Sequence, residues 1–481
     1  MKKTFLGWTA LAALALAAVA CNSGTTPAAT TATPTTAAGS PAATTAAAGV
    51  AFDKTFGKDG ISLLTLSSSG HDRFYAAVPG PGDTTYAVGF TSEGADQAFA
   101  VAKVDATGKL DRSFGKDGVA SVNVAIGGKA LELARGIAVQ SNGKIVIAGP
   151  IEHDVTATGN GAKDTDVALV RFDNAGKIDT TFGKGGVAIF DLGTGKAISD
   201  TAFVGDTSWG LANLPGDKLM LWGSKLADGA NRTDADYVAL GVTSAGALDT
   251  AFGTNGKINL DVNSGGSENP RNVLVQPDGK ITATGYSVKD GITWPVMVRM
   301  SAAGILDKDF GTNGLATTKI LAGVTESYNV TMQGDKYILA GYGRGADATE
   351  KVDLVMERYD SRGVWDKTFG TDGLLRIDIA KEDDRARNVM VLPDGRIIAA
   401  GSGKKTAANV DAMLIMATKD GQLDKSFGDG GILIGDLGGP ADSWYGLTLS
   451  GDKKHIIVAG YKGTDATSGG NDDAVIARLS L

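Results

Sequence analysis

The sequence predicts an all-β protein, a seven-bladed β-propeller of four-stranded blades closed by pairing of its N-terminal strand with its C-terminal strands. A nine-residue motif, an apolar residue followed by Asp-x-x-Phe-Gly-x-x-Gly, occurs seven times. Self-similarity at a fixed period is the signature of a repeat architecture. Each period of 58 to 70 residues carries four strand-like segments. The two ends of the repeat region carry complementary parts of one period, as a closed ring requires.

The motif is predicted to be structural. We expect its phenylalanines to fill the gaps between blades and its glycines to adopt positive φ or tight turns. Its aspartates could bind Ca²⁺, but turn aspartates that accept backbone N–H bonds are far commoner, and this second role is favoured. The copies begin at Phe52, Leu110, Ile178, Leu248, Leu306, Trp365 and Leu423. Their phenylalanines are Phe56, Phe114, Phe182, Phe252, Phe310, Phe369 and Phe427, and their aspartates are Asp53, Asp111, Asp179, Asp249, Asp307, Asp366 and Asp424.

The second period shows the four strands most clearly. Residues 135–140 and 144–149 flank Ser-Asn-Gly, a hairpin signal, and the segments 166–172 and 187–192 follow. No segment has a sustained 3.6-residue period with caps, so helices are expected to be minor. Four short strands repeated seven times are typical of a propeller.

The chain ends predict how the ring closes. The repeat region begins at Ala51 with the motif and one strand, 61–66, and ends three strands into its last period, at 473–481. The first strand would therefore complete the last blade, and both free sheet edges would be paired.

The composition limits the partners and cofactors. A formal net charge of −8 argues against nucleic acid, which requires clustered Lys and Arg. The chain has one Cys, so no internal disulfide can form. His71, His153 and His455 are too few and too scattered for a multi-histidine metal site. No cofactor is predicted, and Ca²⁺ is the one ion that the aspartates could hold.

Residues 1–20 are typical of a secretory signal peptide, with Lys2 and Lys3 before a short apolar run. The segment 18–21, Ala-Val-Ala-Cys, resembles the bacterial lipoprotein cleavage box, although Ala stands where Leu is usual. That resemblance implies a mature protein that begins at an acylated Cys21. The alternative is ordinary secretion with an incidental Cys.

The segment after Cys21 is predicted to be a tether. Residues 22–50 are nearly all Ala, Thr, Ser, Pro and Gly, a composition that favours disorder. The sequence thus divides into a signal peptide (1–20), a lipidated tether (21–50) and a propeller (51–481). It predicts a lipid-anchored protein of the cell envelope outside the cytoplasm. Asn22 favours the outer membrane or cell surface.

The repeat itself resembles a known family. The pattern Leu-Asp-x-x-Phe-Gly-x-x-Gly with Pro-Asp-Gly-Lys or Pro-Asp-Gly-Arg hairpins, as at 277–280 and 393–396, is similar to the delta-60 repeats of bacterial surface proteins. The hairpin and following strand are also similar to NHL-type propeller repeats. The resemblance covers residues 51–481 and implies a fold, but no catalytic residue.

The repeats predict one constant and one variable face. From the turn after the third strand to the last motif Gly the spacing is 13 residues in each complete copy, as from Asp173 to Gly186. The loops between strands two and three, and between strand four and the next blade, vary in length. Because strands alternate in direction, both variable loop types emerge on one face, where binding usually resides.

A column of side chains at the start of the first strand is the candidate ligand site. In an NHL-like arrangement it would surround the channel mouth. Arg side chains stacked on aromatic side chains could simply stabilise the ring of blades. Alternatively, the aromatic faces bind sugar rings or apolar groups, and the Arg residues bind carboxylate or phosphate. The predicted column is Phe74, Arg135, Trp209, Arg271, Tyr328, Arg387 and Trp444.

A further column of aspartates opens the third strand. Such a ring could hold a hard cation, but one Asp per blade would lie too far from the next, so local backbone capping is favoured. The column contains Asp96, Asp166, Asp236, Asp353, Asp411 and Asp473, with Trp294-Pro295 in the fourth copy.

Two function classes remain. The favoured one is a membrane-anchored binding or scaffold module whose variable face holds a glycan or an envelope protein. The other is a propeller enzyme, a lyase, hydrolase or dehydrogenase, that acts on a polysaccharide or small molecule at the channel mouth. The Arg–aromatic column suits both, and no catalytic base is evident.

Overall fold

The protein is all-β, as the sequence predicts. The structure, a computed structural model, describes residues 49–67, 71–93, 96–125, 132–157, 163–199, 202–404, 409–463 and 472–481. No α-helix occurs in these ranges, and a 3-10 turn spans Pro215–Asp217. None of the described helical segments has the length and apolarity needed to cross a bilayer. The predicted signal peptide, Cys21 and nearly all of the tether lie outside the described residues.

The described strands form seven antiparallel units of four main strands, which we number in chain order. Unit 1 comprises Arg73–Pro79, Thr85–Glu93, Asp96–Val104 and Val119–Val122. Unit 2 comprises Gly136–Val139, Ile145–Glu152, Thr165–Phe172 and Val187–Phe190. Unit 3 comprises Thr207–Leu214, Lys218–Leu226, Ala235–Val242 and Lys257–Leu260. Unit 4 comprises Ser267–Val275, Ile281–Lys289, Ile292–Met300 and Leu315–Thr317. Unit 5 comprises Val324–Gln333, Lys336–Arg344, Asp353–Tyr359 and Leu374–Ile377. Unit 6 comprises Arg385–Val391, Ile397–Gly403, Asp411–Ala417 and Ile432–Gly435. Unit 7 comprises Ser443–Leu449, His455–Lys462, Asp473–Ser480 and Ile61–Leu64, with Ala51–Phe52 on the same edge. A small hairpin, Lys196–Ala197 and Phe203–Val204, lies between units 2 and 3.

The two ends of the repeat region pair as the sequence predicts. Ile61–Leu64 lies antiparallel to Asp473–Ser480, with Ile61 opposite Ala477 and Leu64 opposite Ala474. The strand ends two residues earlier than predicted. Val50, which the sequence analysis assigns to the tether, is buried in the core beside Phe427.

The units follow one another through their first strands. The first strand of each unit contacts that of the next unit, and the first strand of unit 1 contacts those of both unit 2 and unit 7. A single parallel pairing, Thr293 with Val324, also joins the sheets of units 4 and 5.

The hydrophobic core lies between neighbouring units, and the motif phenylalanines fill it. All seven are at most 2% exposed. Phe114 of unit 1, for example, shares a cluster with Ile145 and Val170 of unit 2. The adjacent Gly115 has φ of +54°, and a Cβ there would lie 2.2 Å from the carbonyl oxygen of Val119. The predicted packing role of these phenylalanines is confirmed.

The motif aspartates are also structural. Each accepts a hydrogen bond from the backbone N–H two residues later, as from Thr181 to Asp179. Four of them also bind an Arg at the end of a third strand. These pairs are Arg171–Asp179, Arg299–Asp307, Arg358–Asp366 and Arg478–Asp53.

Candidate functional site

A bulge in the first strand places one side chain per unit on a common ring. In five units the strand pairing skips one position, as between Ser208 and Gly210, and in unit 4 it skips Arg271 and Asn272. In unit 2, the N–H of Arg135 bonds to Ala148, which already pairs with Gly136. A bulge re-aims the extra residue and is common beside functional sites. These residues, which we call the collar, are Tyr75, Arg135, Trp209, Arg271, Tyr328, Arg387 and Tyr445.

The collar is continuous, because each member contacts the next one. Measured from the guanidinium carbon to the ring centre, the Arg–aromatic contacts are Arg135 with Tyr75 (5.7 Å) and Trp209 (3.8 Å), Arg271 with Trp209 (4.2 Å) and Tyr328 (4.3 Å), and Arg387 with Tyr328 (4.4 Å) and Tyr445 (5.4 Å). An edge-on contact between Tyr75 and Tyr445, 5.1 Å between ring centres, completes the circle. All of these Arg–aromatic distances are within cation–π range.

Five of the seven residues of the predicted column lie in the collar, and at the other two positions the next residue along the chain lies there instead. Arg135, Trp209, Arg271, Tyr328 and Arg387 lie in the collar. Phe74 and Trp444 do not, because both are 0% exposed and pack in the core between units. Their neighbours Tyr75 and Tyr445 occupy the collar instead, since the bulge reverses the expected alternation of the strand.

The collar arginines have no acidic partner in the part of the chain that the structure describes. No ion pair reaches Arg135, Arg271 or Arg387 within 4.0 Å. Their buried Nε atoms also lack hydrogen-bond partners. Burial lowers the pKa of Arg135, and the positive charge of Arg271 acts in the same direction. In Arg271 and Arg387 burial also lowers the pKa, but the surrounding tyrosines, and for Arg271 also the carboxylate of Glu326, outweigh it and raise the pKa. The three stacked guanidinium groups thus form no ion pair with a described carboxylate, an arrangement that could hold an anion.

Tyr328 lies between two of these charges. Arg271 donates a hydrogen bond of 3.3 Å to the Tyr328 hydroxyl group and one of 2.8 Å to Tyr286. Burial alone would raise the pKa of Tyr328, but the charges of Arg271 and Arg387 outweigh it and hold this pKa below the usual value. The Tyr328 hydroxyl group is therefore more acidic than an ordinary phenol.

A set of buried acids, missed by the sequence analysis, lies three residues before the collar positions. In six units this residue is an acid that is at most 1% exposed, and in unit 5 it is Thr325. The acids are Asp72, Glu132, Asp206, Glu268, Asp384 and Asp442. Most accept backbone N–H bonds from the loop that enters their unit, as from Leu192 to Asp206. Their constant offset from the collar was the signal available in the sequence.

Burial raises the pKa of these acids, and neighbouring carboxylates add to the effect in several. The pKa rises to about 8 for Asp206 and Glu268, about 7 for Glu132 and Asp384, and about 6 for Asp442.

Three of the third-strand aspartates bind side chains rather than backbone N–H groups within the described ranges. Asp166 contacts His153 (2.9 Å), Asp236 contacts Arg232 (3.2 Å), and Asp353 contacts Arg376. Asp166, Asp236, Asp353 and Asp411 each lie near an Asp that follows the fourth strand, and three of these pairs include a buried acid of the next unit.

Two predicted members of this column differ from the others. Asp96 is two residues before the equivalent position, Ala98, and accepts a hydrogen bond from Asn123. In unit 7, which contains Asp473, Thr65 occupies the position after the fourth strand that is an Asp in units 2, 3, 5 and 6.

Comparison with known proteins supports a β-propeller family. The family model described as "Domain of unknown function (DUF5122) beta-propeller" matches residues 140–182 and 392–427. Each match runs from the hairpin after the first strand to the motif phenylalanine, so the two are equivalent parts of units 2 and 6. No curated protein sequence matches the chain. The delta-60 assignment stays a prediction.

Solved structures with a related shape have low sequence identity. A protein of unknown function from Dyadobacter fermentans has 10% identity and a TM-score of 0.42, covering 88% of this chain and 99% of that chain. Polysaccharide lyase Uly1 has 10% identity and a TM-score of 0.47, covering 86% and 90%. An alpha-L-arabinanase from Penicillium chrysogenum, complexed with arabinobiose, has 12% identity and a TM-score of 0.39, covering 72% and 92%. These values are too low to indicate a substrate for this chain.

Proposed function

We propose that this chain is a seven-bladed β-propeller, held outside the cytoplasm by a lipid on Cys21, that binds an acidic glycan at the collar. The seven strand units, the contacts of unit 1 with units 2 and 7, and the unbroken side-chain ring support a closed seven-bladed architecture. The collar lies at the start of the first strands, where the variable loops enter.

The observation that carries the binding proposal is that three stacked arginines of the collar form no ion pair among the described residues. Guanidinium groups form strong, bidentate hydrogen bonds with carboxylate or sulfate groups. The intervening Tyr75, Trp209, Tyr328 and Tyr445 present aromatic faces on which sugar rings can stack. An acidic glycan supplies both the anion and the ring, whereas a neutral glycan supplies only the ring.

The test is direct binding to polymers that differ in charge. We expect residues 49–481 to bind polygalacturonate, alginate or heparin, with affinity that falls as salt rises, and not to bind neutral dextran. The double variant Arg135→Ala/Arg387→Ala should bind at least about tenfold more weakly, a loss of ~1.4 kcal/mol. Isothermal titration calorimetry measures both.

Arg362→Ala is the matched control, because Arg362 is exposed on the constant face and pairs with Asp360. It should bind as wild type does. Equal binding by all three proteins, or preference for dextran, would exclude the collar as the acidic-glycan site.

The anchor has its own test. Cys21→Ala should move the protein from the membrane fraction to the soluble fraction and abolish incorporation of radiolabelled palmitate. Fractionation of the envelope would then test the preference for the outer membrane. Retention of the label in the variant would exclude Cys21 as the acylated residue.

A second candidate function is a lyase on uronate polymers, favoured by Tyr328. Its phenolate would take the proton next to the uronate carboxylate, held by Arg271 and Arg387. A carbon–carbon double bond then forms, the glycosidic C–O bond breaks, and the Tyr328 hydroxyl returns the proton to the leaving oxygen. Ultraviolet absorbance of the unsaturated product, lost in Tyr328→Phe with binding retained, supports the lyase. Binding without product supports the binding module.

A further inference from the structure

Unit 4 differs from most other units at two equivalent positions on the variable face. In units 2, 3, 5 and 6 an Asp stands near the start of the third strand, and a second Asp follows the fourth strand. In unit 4 these positions are occupied by Trp294 and Lys319. The Lys319 ammonium group lies 4.4 Å from the centre of the Trp294 ring. A pair of acids is thus replaced by a cation stacked on an aromatic side chain.

The charge at these positions is reversed and is not neutralised by the described chain. In unit 3, where both acids are present, Arg232 bonds to Asp236 at 3.2 Å and to Asp261 at 2.9 Å. In unit 4 the acids are absent, but Lys319 supplies a cation. It forms no ion pair with a described carboxylate.

Trp294 and Lys319 line an open pocket of about 390 Å³. This volume lies in the range of small-molecule sites, ~300–1,000 Å³. The pocket is bounded by Asn263 of the loop that enters unit 4, by Lys289 at the end of the second strand and by Thr317 at the end of the fourth strand. None of its described lining residues belongs to the collar.

The pocket carries more positive than negative charge. Lys289 donates a hydrogen bond to the carbonyl oxygen of Ser264 at 2.9 Å, so it is held by the backbone. Asp290 is the one carboxylate among the described lining residues, and it is exposed. Neither Lys289 nor Lys319 forms an ion pair with a described carboxylate. An anion that enters the pocket would therefore meet two ammonium groups without having to displace a salt bridge.

The remaining groups of the pocket suit the hydroxyl groups and apolar face of a sugar. The Asn263 amide, the Thr317 hydroxyl group and the Asp290 carboxylate can each form hydrogen bonds with a hydroxyl group. Trp294 and Ile292 supply apolar surface. Trp294 is 6% exposed, so it contributes a wall and not a free face for stacking.

We propose that this pocket, which we call the Trp–Lys pocket, binds a carboxylate-bearing sugar, a uronate, through Lys319 and Lys289. Hydrogen bonds between an ammonium group and a carboxylate are roughly twice as strong as those between neutral groups. A neutral hexose would supply the hydroxyl groups but would leave both ammonium groups without a counter-charge. The site does not depend on the collar proposal, because the two sites share no described residue.

Titration of the full-length protein with galacturonate and with galactose, followed by saturation-transfer NMR, tests the proposal. The double variant Arg135→Ala/Arg387→Ala is the background, because it lacks two of the collar arginines. In that background galacturonate should bind, and galactose should not. Adding Lys319→Gln should weaken galacturonate binding at least about tenfold, since a charge-assisted contact is lost.

Lys367→Gln in the same background is the matched control. Lys367 also stacks on a tryptophan, Trp365, at 5.5 Å, but it lies on the constant face and pairs with Asp372 at 3.5 Å. This substitution should leave galacturonate binding unchanged. Lys319 and Lys367 are both exposed, so both variants should keep the fold, which circular dichroism checks.

Three results would overturn the proposal. These are a background variant that does not bind galacturonate, equal binding after Lys319→Gln, and equal binding of galactose. A failure of the collar proposal is seen separately, when the background variant binds acidic polymers as tightly as wild type does.

Discussion

The two faces of the molecule use the same side chains in different ways. On the constant face, Arg171, Arg299, Arg358 and Arg478 each stack on a motif phenylalanine at 4.4 to 5.0 Å and also bind a motif Asp. In the collar, Arg135, Arg271 and Arg387 stack on aromatic rings but form no ion pair with a described carboxylate. An Arg–aromatic pair is thus scaffold where an Asp completes it. Without an Asp, the Arg has no direct ion-pair partner, and the binding proposal depends on this difference.

This difference leads to opposite expectations for substitutions. Removing a group from the constant face removes core packing or leaves an unpaired charge behind. Removing an Arg from the collar takes away a charge that has no partner. We therefore expect substitutions on the constant face to change mainly the stability of the protein, and substitutions in the collar to change mainly ligand binding.

The largest effect is expected for Phe310→Ala. Phe310 is 0% exposed and lies between units 4 and 5, near Tyr337. Truncating a buried Phe costs ~3–5 kcal/mol, because apolar contact is lost and a cavity remains. Urea denaturation measures this. The half-buried collar residue Tyr75, changed to Ala, should lose clearly less, and an equal loss would remove the distinction between the faces.

A smaller loss is expected for Arg358→Ala. Arg358 binds Asp366 at 2.8 Å and donates to the Lys419 carbonyl oxygen of unit 6 at 3.0 Å. Breaking a buried ion pair costs ~3–5 kcal/mol. The remaining partner Lys336, 2.7 Å from Asp366, should keep the loss at the lower end. Arg362→Ala, a substitution of an exposed residue, is the control in the same denaturation experiment. If the two variants were equally stable, the Arg–Asp pair would not be part of the scaffold.

The repeat motif made the fold predictable, whereas local backbone irregularities limited prediction of the site. Seven copies of Phe-Gly at regular spacing require seven similar interfaces, and the incomplete end units identify the strand Ile61–Leu64 as the partner of the last one. Phe74 and Trp444 were misplaced because each is an aromatic residue directly before a Tyr. The sequence alone does not show which of two neighbouring aromatic side chains the bulge turns towards the collar.

The acid clusters needed the three-dimensional structure for a different reason. Asp353, Asp378 and Asp384 are separated by up to 31 positions along the chain and belong to two units. The repeat offset places each acid on its own strand, but only the packing of one unit on the next brings the three together.

The two faces should also respond differently to pH. Burial raises the pKa of Asp206 to about 8, so the stability that its proton supplies is complete below the unfolded value of about 4 and is lost as the pH rises towards 8. Hydrogen bonds from Ser113 and Lys103 lower the pKa of the motif residue Asp111 to about 2, so its contribution is present above about 4 and is lost in acid.

We therefore expect the melting temperature to be highest near pH 5 and to fall towards pH 9, measured with chelator present. Asp206→Asn keeps the shape but cannot ionise, and should remove an alkaline loss of a few kcal/mol, the order of magnitude expected for a shift of several pKa units at ~1.4 kcal/mol each. Asp278→Asn, an exposed turn residue, should not change the profile. An unchanged alkaline loss in Asp206→Asn would mean that this carboxylate is already ionised in the folded protein near neutral pH.

The smallest effect on stability is expected for Arg387→Ala. Its guanidinium group stacks between Tyr328 and Tyr445, and a cation–π contact stabilises by ~0.5–2 kcal/mol. Removing the charge also ends the cost of keeping it without an acidic partner, so the two terms oppose each other and the net change should be within ~1 kcal/mol. Urea denaturation beside Arg358→Ala provides the comparison. If Arg387→Ala destabilised the protein as much as Arg358→Ala does, the collar would be a second scaffold, and its stacking alone would explain why Arg and aromatic residues alternate there.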